Sequence, residues 1–159
     1  MKQEVTEIVK QIASNLLSNN MTLATAESCT GGNIAHQLTL LPGSSHWYNG
    51  GVVAYTNLVK QNLLKVDVSL ISKYSEVSGE VAEAMAQGVK DALKTDYAIS
   101  TTGVAGPTGA TNENPIGTVW IGIATPSRNI SKRFVFDDNR EQNIESFTLE
   151  ALKMLLKNM

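Results

Sequence analysis

The sequence predicts an α/β protein with a mixed sheet and helices on both of its faces. Three observations lead there. Helical and strand patterns alternate early in the chain, two strand-like runs flank Pro126-Ser127-Arg128-Asn129 late in it, and the unusual loop segments each follow a strand-like run directly. Alternation favours parallel strands with crossover helices, whereas a short late connection favours an antiparallel hairpin, so the sheet is expected to be mixed. A chain of 159 residues is close to the size at which one hydrophobic core is efficient, and residues 1–159 are read as a single domain.

Val5, Ile8, Val9, Ile12, Leu16 and Leu17 recur at helical spacing until Asn19-Asn20 ends the pattern, and Thr22 to Ala26 follows as a short buried strand. Ser28-Cys29-Thr30-Gly31-Gly32 then forms a tight turn ahead of a helix carrying Ile34, Ala35, Leu38 and Leu41. Pro42-Gly43-Ser44-Ser45 closes that helix, and Gly51 to Tyr55 reads as the second strand. Asn57 is placed as the cap of a short helix through Lys60 to Leu64, Val68 to Tyr74 forms another, and Ser78 caps a longer one from Gly79 to about Leu93. The strand Tyr97 to Thr101 feeds a glycine-rich loop from Thr102 to Gly109 that continues through Pro115. Val119 to Ala124 and Ile130 to Phe136 make the hairpin, and Arg140 to Lys157 the last helix, burying Ile144, Phe147, Ala151, Leu152 and Leu155.

Composition narrows the functional classes. The chain is 42% hydrophobic and 18% charged, with a formal net charge of −2, and its thirteen Lys and Arg residues are scattered, which argues against nucleic acid as a partner. A lone cysteine, Cys29, forms no disulfide within the chain and no cysteine-based metal cluster, so a reducing, cytoplasmic setting is expected. The N-terminal residues hold no apolar signal-peptide core, and no stretch has the length to cross a membrane. Neither the two histidines nor the acids show metal-ligand spacing, and no cofactor is expected. Apolar faces on the first and last helices suggest a homo-oligomer.

Ligand sites of open α/β sheets gather beyond the carboxyl ends of strands, where Glu27 to Gly32, Tyr55 to Lys60 and Thr102 to Gly109 are all expected. Ser28 sits at a strand-to-helix turn whose amides could hold an oxyanion, which is the setting of a nucleophilic hydroxyl; Ser28 or Thr30 could equally serve as a helix cap. His36 falls inside a helix and His46 in a loop, so a Ser-His-Asp arrangement has little support. Lys60 is the alternative base, because burial and a helix N-terminus would both depress its pKa; a solvated surface lysine is the competing reading. Tyr55 can donate a hydrogen bond or stack on a ligand, or be an ordinary strand aromatic. The loop holding Gly103 and Gly106 lacks the lysine of a P-loop and serves either as a ligand cradle or as a chain reversal. Arg140 could pair with a phosphate.

Taken together, Ala24-Thr25-Ala26-Glu27-Ser28-Cys29-Thr30-Gly31-Gly32, Pro42-Gly43-Ser44-Ser45, Tyr55-Thr56-Asn57-Leu58-Val59-Lys60, Val77-Ser78-Gly79-Glu80-Val81-Ala82, Thr102-Gly103-Val104-Ala105-Gly106-Pro107 and Pro115-Ile116-Gly117-Thr118-Val119 resemble the CinA C-terminal domain family. The resemblance covers nearly the whole chain, and the ordered set of motifs is far more specific than any one of them. It implies a three-layer α/β/α sandwich and the deamidation of nicotinamide mononucleotide to nicotinic acid mononucleotide and ammonia, in pyridine nucleotide salvage. It also implies Ser28 as nucleophile and Lys60 as base, with Tyr55, Ser45, Thr102 and Arg140 at the site. Glu27, Thr30, Gly31 and Gly32 then join the substrate-binding set from the first loop, and Gly103 and Gly106 from the glycine loop. A mechanism in which Glu27 or Lys60 activates water directly is a rival. A non-catalytic nucleotide-sensing or protein-binding module, linked to competence or DNA damage, is the rival function.

Overall fold

The computed structural model describes residues 1–159. Its elements are α1 (Lys2–Asn19), β1 (Leu23–Glu27), α2 (Asn33–Thr39), β2 (Tyr48–Val53), α3 (Asn57–Leu64), α4 (Val68–Tyr74), α5 (Gly79–Leu93), β3 (Tyr97–Val104), β4 (Thr118–Ala124), β5 (Asn129–Val135) and α6 (Arg140–Lys157). The strands form one sheet in the order β2-β1-β3-β4-β5, with β1 parallel to both neighbours and β4 antiparallel to both of its own. α1, α2 and α6 cover one face, and α5 with α3 and α4 covers the other. The expected three-layer α/β/α sandwich with a mixed sheet is therefore the observed architecture.

Strand alternation sorts the core into two unlike halves. Val119, Ile121 and Ile123 of β4, with Leu23 and Ile99, project toward α1 and α6, where Ile12, Leu16, Phe147 and Leu152 complete a bulky core. The opposite face carries Ala24, Ala26, Ala98 and Ala124, small side chains that let α5 lie close along the sheet. Gly88 of α5 extends this close approach to α3, because a Cβ there would run into the main-chain carbonyl of Leu64. Leu64 is one helical turn beyond Lys60, so the crossing that needs Gly88 also fixes the lysine.

Four expectations need correction. β2 runs from Tyr48 rather than Gly51, taking in Gly50 and Gly51, poor strand formers; at Gly51 the main chain passes too close to the Thr25 hydroxyl for a Cβ. β3 continues to Val104, so Thr102 and Gly103 pair with Trp120 and Val119 in the ladder instead of opening a loop. The cap of α3 is Thr56, whose hydroxyl accepts from the Val59 amide, not Asn57. The apolar faces of α1 and α6 are mostly packed against each other and the sheet rather than exposed, although Leu17 of α1 stays exposed, as do Leu58, Leu63 and Val68 of α3 and α4.

Gly88→Ala should lower stability by about 1–3 kcal/mol despite alanine's better helix propensity, because two main chains must separate. Urea denaturation reads this as a lower midpoint with an unchanged slope.

Candidate active site

A cleft of about 460 Å³ opens at the carboxyl ends of β1, β2 and β3, within the size range of small-molecule sites. Its walls come from the turn after β1, the segment between β2 and α3, the α4–α5 connection, the end of β3 with the loop after it, and the start of α6.

At its floor Lys60 Nζ lies 3.0 Å from Ser28 Oγ and donates a second 3.0 Å bond to the Ala54 carbonyl. Each partner is fixed by the strand that precedes it. The Ser28 amide bonds to the Thr101 carbonyl at 3.0 Å, extending the β1–β3 pairing by one residue. The Ala54 amide bonds to the Glu27 carbonyl at 2.8 Å, which extends β2 alongside β1 in the same way. α3 then carries Lys60 back over the two strand ends, with Leu64 on the same face anchored against α5.

Lys60 is 2% exposed, and burial, which penalises the charged amine, holds its pKa below 10.5 against the opposing pull of the Glu76 carboxylate and Cys29. The expected depression is present, and burial is its largest cause. Cys29, next to Ser28, is affected in the opposite sense: burial pushes its thiol up to about 12, so it stays protonated and unreactive at neutral pH.

Beneath the pair lies a buried polar network that also accounts for Glu27 and Thr30. The Glu27 carboxylate accepts the Thr30 hydroxyl at 2.6 Å and the amides of Ile34 and Ala35 at 2.9 Å each. It thereby caps α2, whose own N-cap residue, Gly32, has no side chain to do so. Thr30 in turn shares a 2.8 Å bond with the Thr101 hydroxyl. Neither residue lines the cleft, so the substrate-binding expectation for both is corrected: their hydrogen bonds are spent on the turn itself. With its carboxylate engaged there, Glu27 has no path to a water in the cleft.

Gly31 and Gly32 likewise stay outside the cleft; at φ 59° and 99° they supply the left-handed bend that turns the chain from strand to helix. That bend leaves the amides of Cys29, Thr30 and Gly32 without a protein acceptor, whereas the Gly31 amide is taken by the Ser28 carbonyl.

On the cleft wall formed by α6 the Arg140 guanidinium donates to the Gly106 carbonyl at 2.7 Å and to the Tyr55 hydroxyl at 3.0 Å. No carboxylate neutralises it. Gly106 thus acts through its carbonyl, while Tyr55, Thr102, Gly103 and Arg140 line the cleft. The Thr102 hydroxyl is already committed to the Glu76 carbonyl at 2.6 Å. Ser45 is a correction: it lies exposed in a short helical turn before β2, at the amino end of a strand whose carboxyl end borders the site.

Sequence reasoning missed three contributors. Glu76 lines the cleft, Asn114 ties the glycine loop to the Val77 carbonyl at 3.2 Å, and buried Asn143 bonds the carbonyls of Ala105 and Asp138. An Asn within an apolar helical pattern was the one available signal, since a buried amide needs partners. No three metal-ligating side chains converge in the chain, and no helix is long and apolar enough to cross a membrane.

A three-layer α/β/α protein with a buried serine–lysine pair at the carboxyl edge of its parallel strands is the class this geometry defines. The chain belongs to the CinA C-terminal domain family, whose model matches residues 5–159. A CinA-like protein of Salinibacter ruber is 47% identical over 138 residues, 87% of this chain but 34% of that protein. The chain spans about a third of the length of the curated relatives it matches. A CinA superfamily protein from Escherichia coli superposes with a TM-score of 0.94 at 30% identity, covering 98% of this chain and 90% of that one. The competence/damage inducible protein CihA from Agrobacterium tumefaciens gives 0.94 at 31% identity, covering 98% and 96%.

Ser28 should be acylated by a serine-directed reagent at a rate that rises with pH through the depressed Lys60 pKa, and Lys60→Met should abolish the labelling. Iodoacetamide should leave Cys29 unmodified in native protein at pH 8 and alkylate it after unfolding, as mass spectrometry would record.

Proposed function

We propose that this chain hydrolyses the carboxamide of nicotinamide mononucleotide, releasing ammonia and nicotinic acid mononucleotide. The observation that carries the reaction type is the 3.0 Å contact between Ser28 Oγ and a buried, pKa-depressed Lys60. A structural lysine gains little from such burial, whereas a general base requires it. The substrate comes from the family resemblance, and the cleft suits it: a free guanidinium for a phosphate on one side and a nucleophile with unpaired amides on the other.

In this reading neutral Lys60 takes the Ser28 proton as Oγ attacks the carboxamide carbon. The oxyanion that forms is met by the amide of Cys29, the residue of the turn after Ser28 that lines the cleft and whose amide has no protein acceptor. The C–N bond breaks as Lys60 returns the proton to nitrogen, and ammonia leaves. Lys60 then takes a proton from water, hydroxide attacks the acyl carbon, and Ser28 Oγ departs with that proton. Arg140, held by Tyr55 and Gly106, receives the ribose 5′-phosphate.

The direct-water rival loses Glu27 as its base, for the reason given above. In the other rival, a sensing module, there is no use for a buried lysine aimed at a serine.

Purified protein should release ammonia from nicotinamide mononucleotide. Ser28→Ala and Lys60→Arg should each lose about 10²-fold or more, because an arginine remains protonated. The sign with pH follows from the depressed pKa: the base is neutral above it, so kcat should rise with pH along a limb lying below 10.5. Tight binding of the nucleotide by wild type with no ammonia released would reject the enzyme in favour of the sensing module.

A further inference from the structure

We propose that Glu76 makes the cleft selective for a positively charged pyridinium ring over its uncharged dihydropyridine counterpart. The inference rests on the amidohydrolase reading for the identity of the ligand. Glu76 is the one acid among the residues lining the cleft, where Lys60 and Arg140 are the two cations. Its carboxylate forms no ion pair, and its sole hydrogen bond is a long 3.4 Å one from the Ser75 hydroxyl.

Its main chain is tightly determined, while the side chain itself is exposed. The Thr102 hydroxyl holds the Glu76 carbonyl at 2.6 Å, Asn114 holds that of Val77, and the Ser78 hydroxyl holds that of Ser75 at 2.9 Å. Ser75 is bent to φ 74°, ψ 158°, a conformation costly for any residue but glycine, and the surrounding bonds enforce it. A carboxylate here opposes the general base, since its charge pulls the Lys60 pKa up. Its presence therefore calls for a use in binding.

A carboxamide attacked by Ser28 carries its ring within the same corner of the cleft, because ring and carboxamide are directly bonded. Glu76 is the anion of the cleft, near enough to Lys60 for its charge to act on the amine, and Arg140 lines the same cleft from the start of α6. The two charges match a ligand that is cationic at its ring and anionic at its phosphate. Reduction of the ring removes its charge and leaves the rest of the outline unchanged, so discrimination falls to the carboxylate.

Calorimetry in a Ser28→Ala background, which prevents turnover, tests this with nicotinamide mononucleotide and its reduced form. The oxidised nucleotide should bind about fivefold or more tightly than the reduced one, the upper range for a partly exposed charge pair. Adding Glu76→Gln should bring the two affinities together by weakening only the oxidised form, and Glu76→Asp should keep part of the preference. Equal affinities in the Ser28→Ala protein, or a preference that survives Glu76→Gln, would overturn the inference. Silence of the wild type in the ammonia assay would remove the amidohydrolase reading alone, since the binding preference is measured without turnover.

Discussion

Lys60 lies buried with its amine against Ser28, and an amine removed from water must either find acceptors or give up its proton. Two acceptors are provided, the Ser28 hydroxyl and the Ala54 carbonyl, each 3.0 Å away. They are too few to offset the lost hydration of an ammonium ion, so the pKa falls. Most of what surrounds the pair holds this arrangement in place. The parallel pairing of β1 with β2 and β3 sets the serine and the carbonyl side by side. The bare main chain at Gly88 lets α3 settle close enough to deliver the lysine.

The same demand shapes the turn beneath. The strand that ends at Ser28 has to reverse sharply into α2, and glycines at 31 and 32 make that reversal possible while leaving the helix without a side-chain cap. Glu27 fills the role from the preceding strand, accepting two helix amides and the Thr30 hydroxyl. The amides that remain unpaired are those of the turn, beside the serine. Packing, capping and the candidate chemistry are here one network, so that a change at Glu27 would be felt at Ser28 without Glu27 touching a ligand.

Charges of both signs line the cleft. Arg140 is held by an uncharged phenol and a carbonyl, so its charge is left for a ligand. Glu76 stands near Lys60, where its charge favours the protonated amine. Opposed charges within one polar cleft orient a dipolar ligand as it enters.

The sequence by itself determined the alternation of elements, the cap of α5, the hairpin, and the candidacy of Ser28, Lys60 and Arg140, because these follow from local periodicity, capping chemistry and ordered motifs within the reach of a few residues. Only the tertiary structure decided that Glu27 and Thr30 support the turn instead of the ligand, that Ser45 stands at the wrong end of β2, and that Glu76 enters the cleft. These outcomes depend on which strand end faces which loop, and that is set by sheet order and register. A carboxylate reads the same in a sequence whether it will meet helix amides, solvent or a cation; its neighbours in space settle which, helix amides for Glu27 and the Lys60 amine for Glu76.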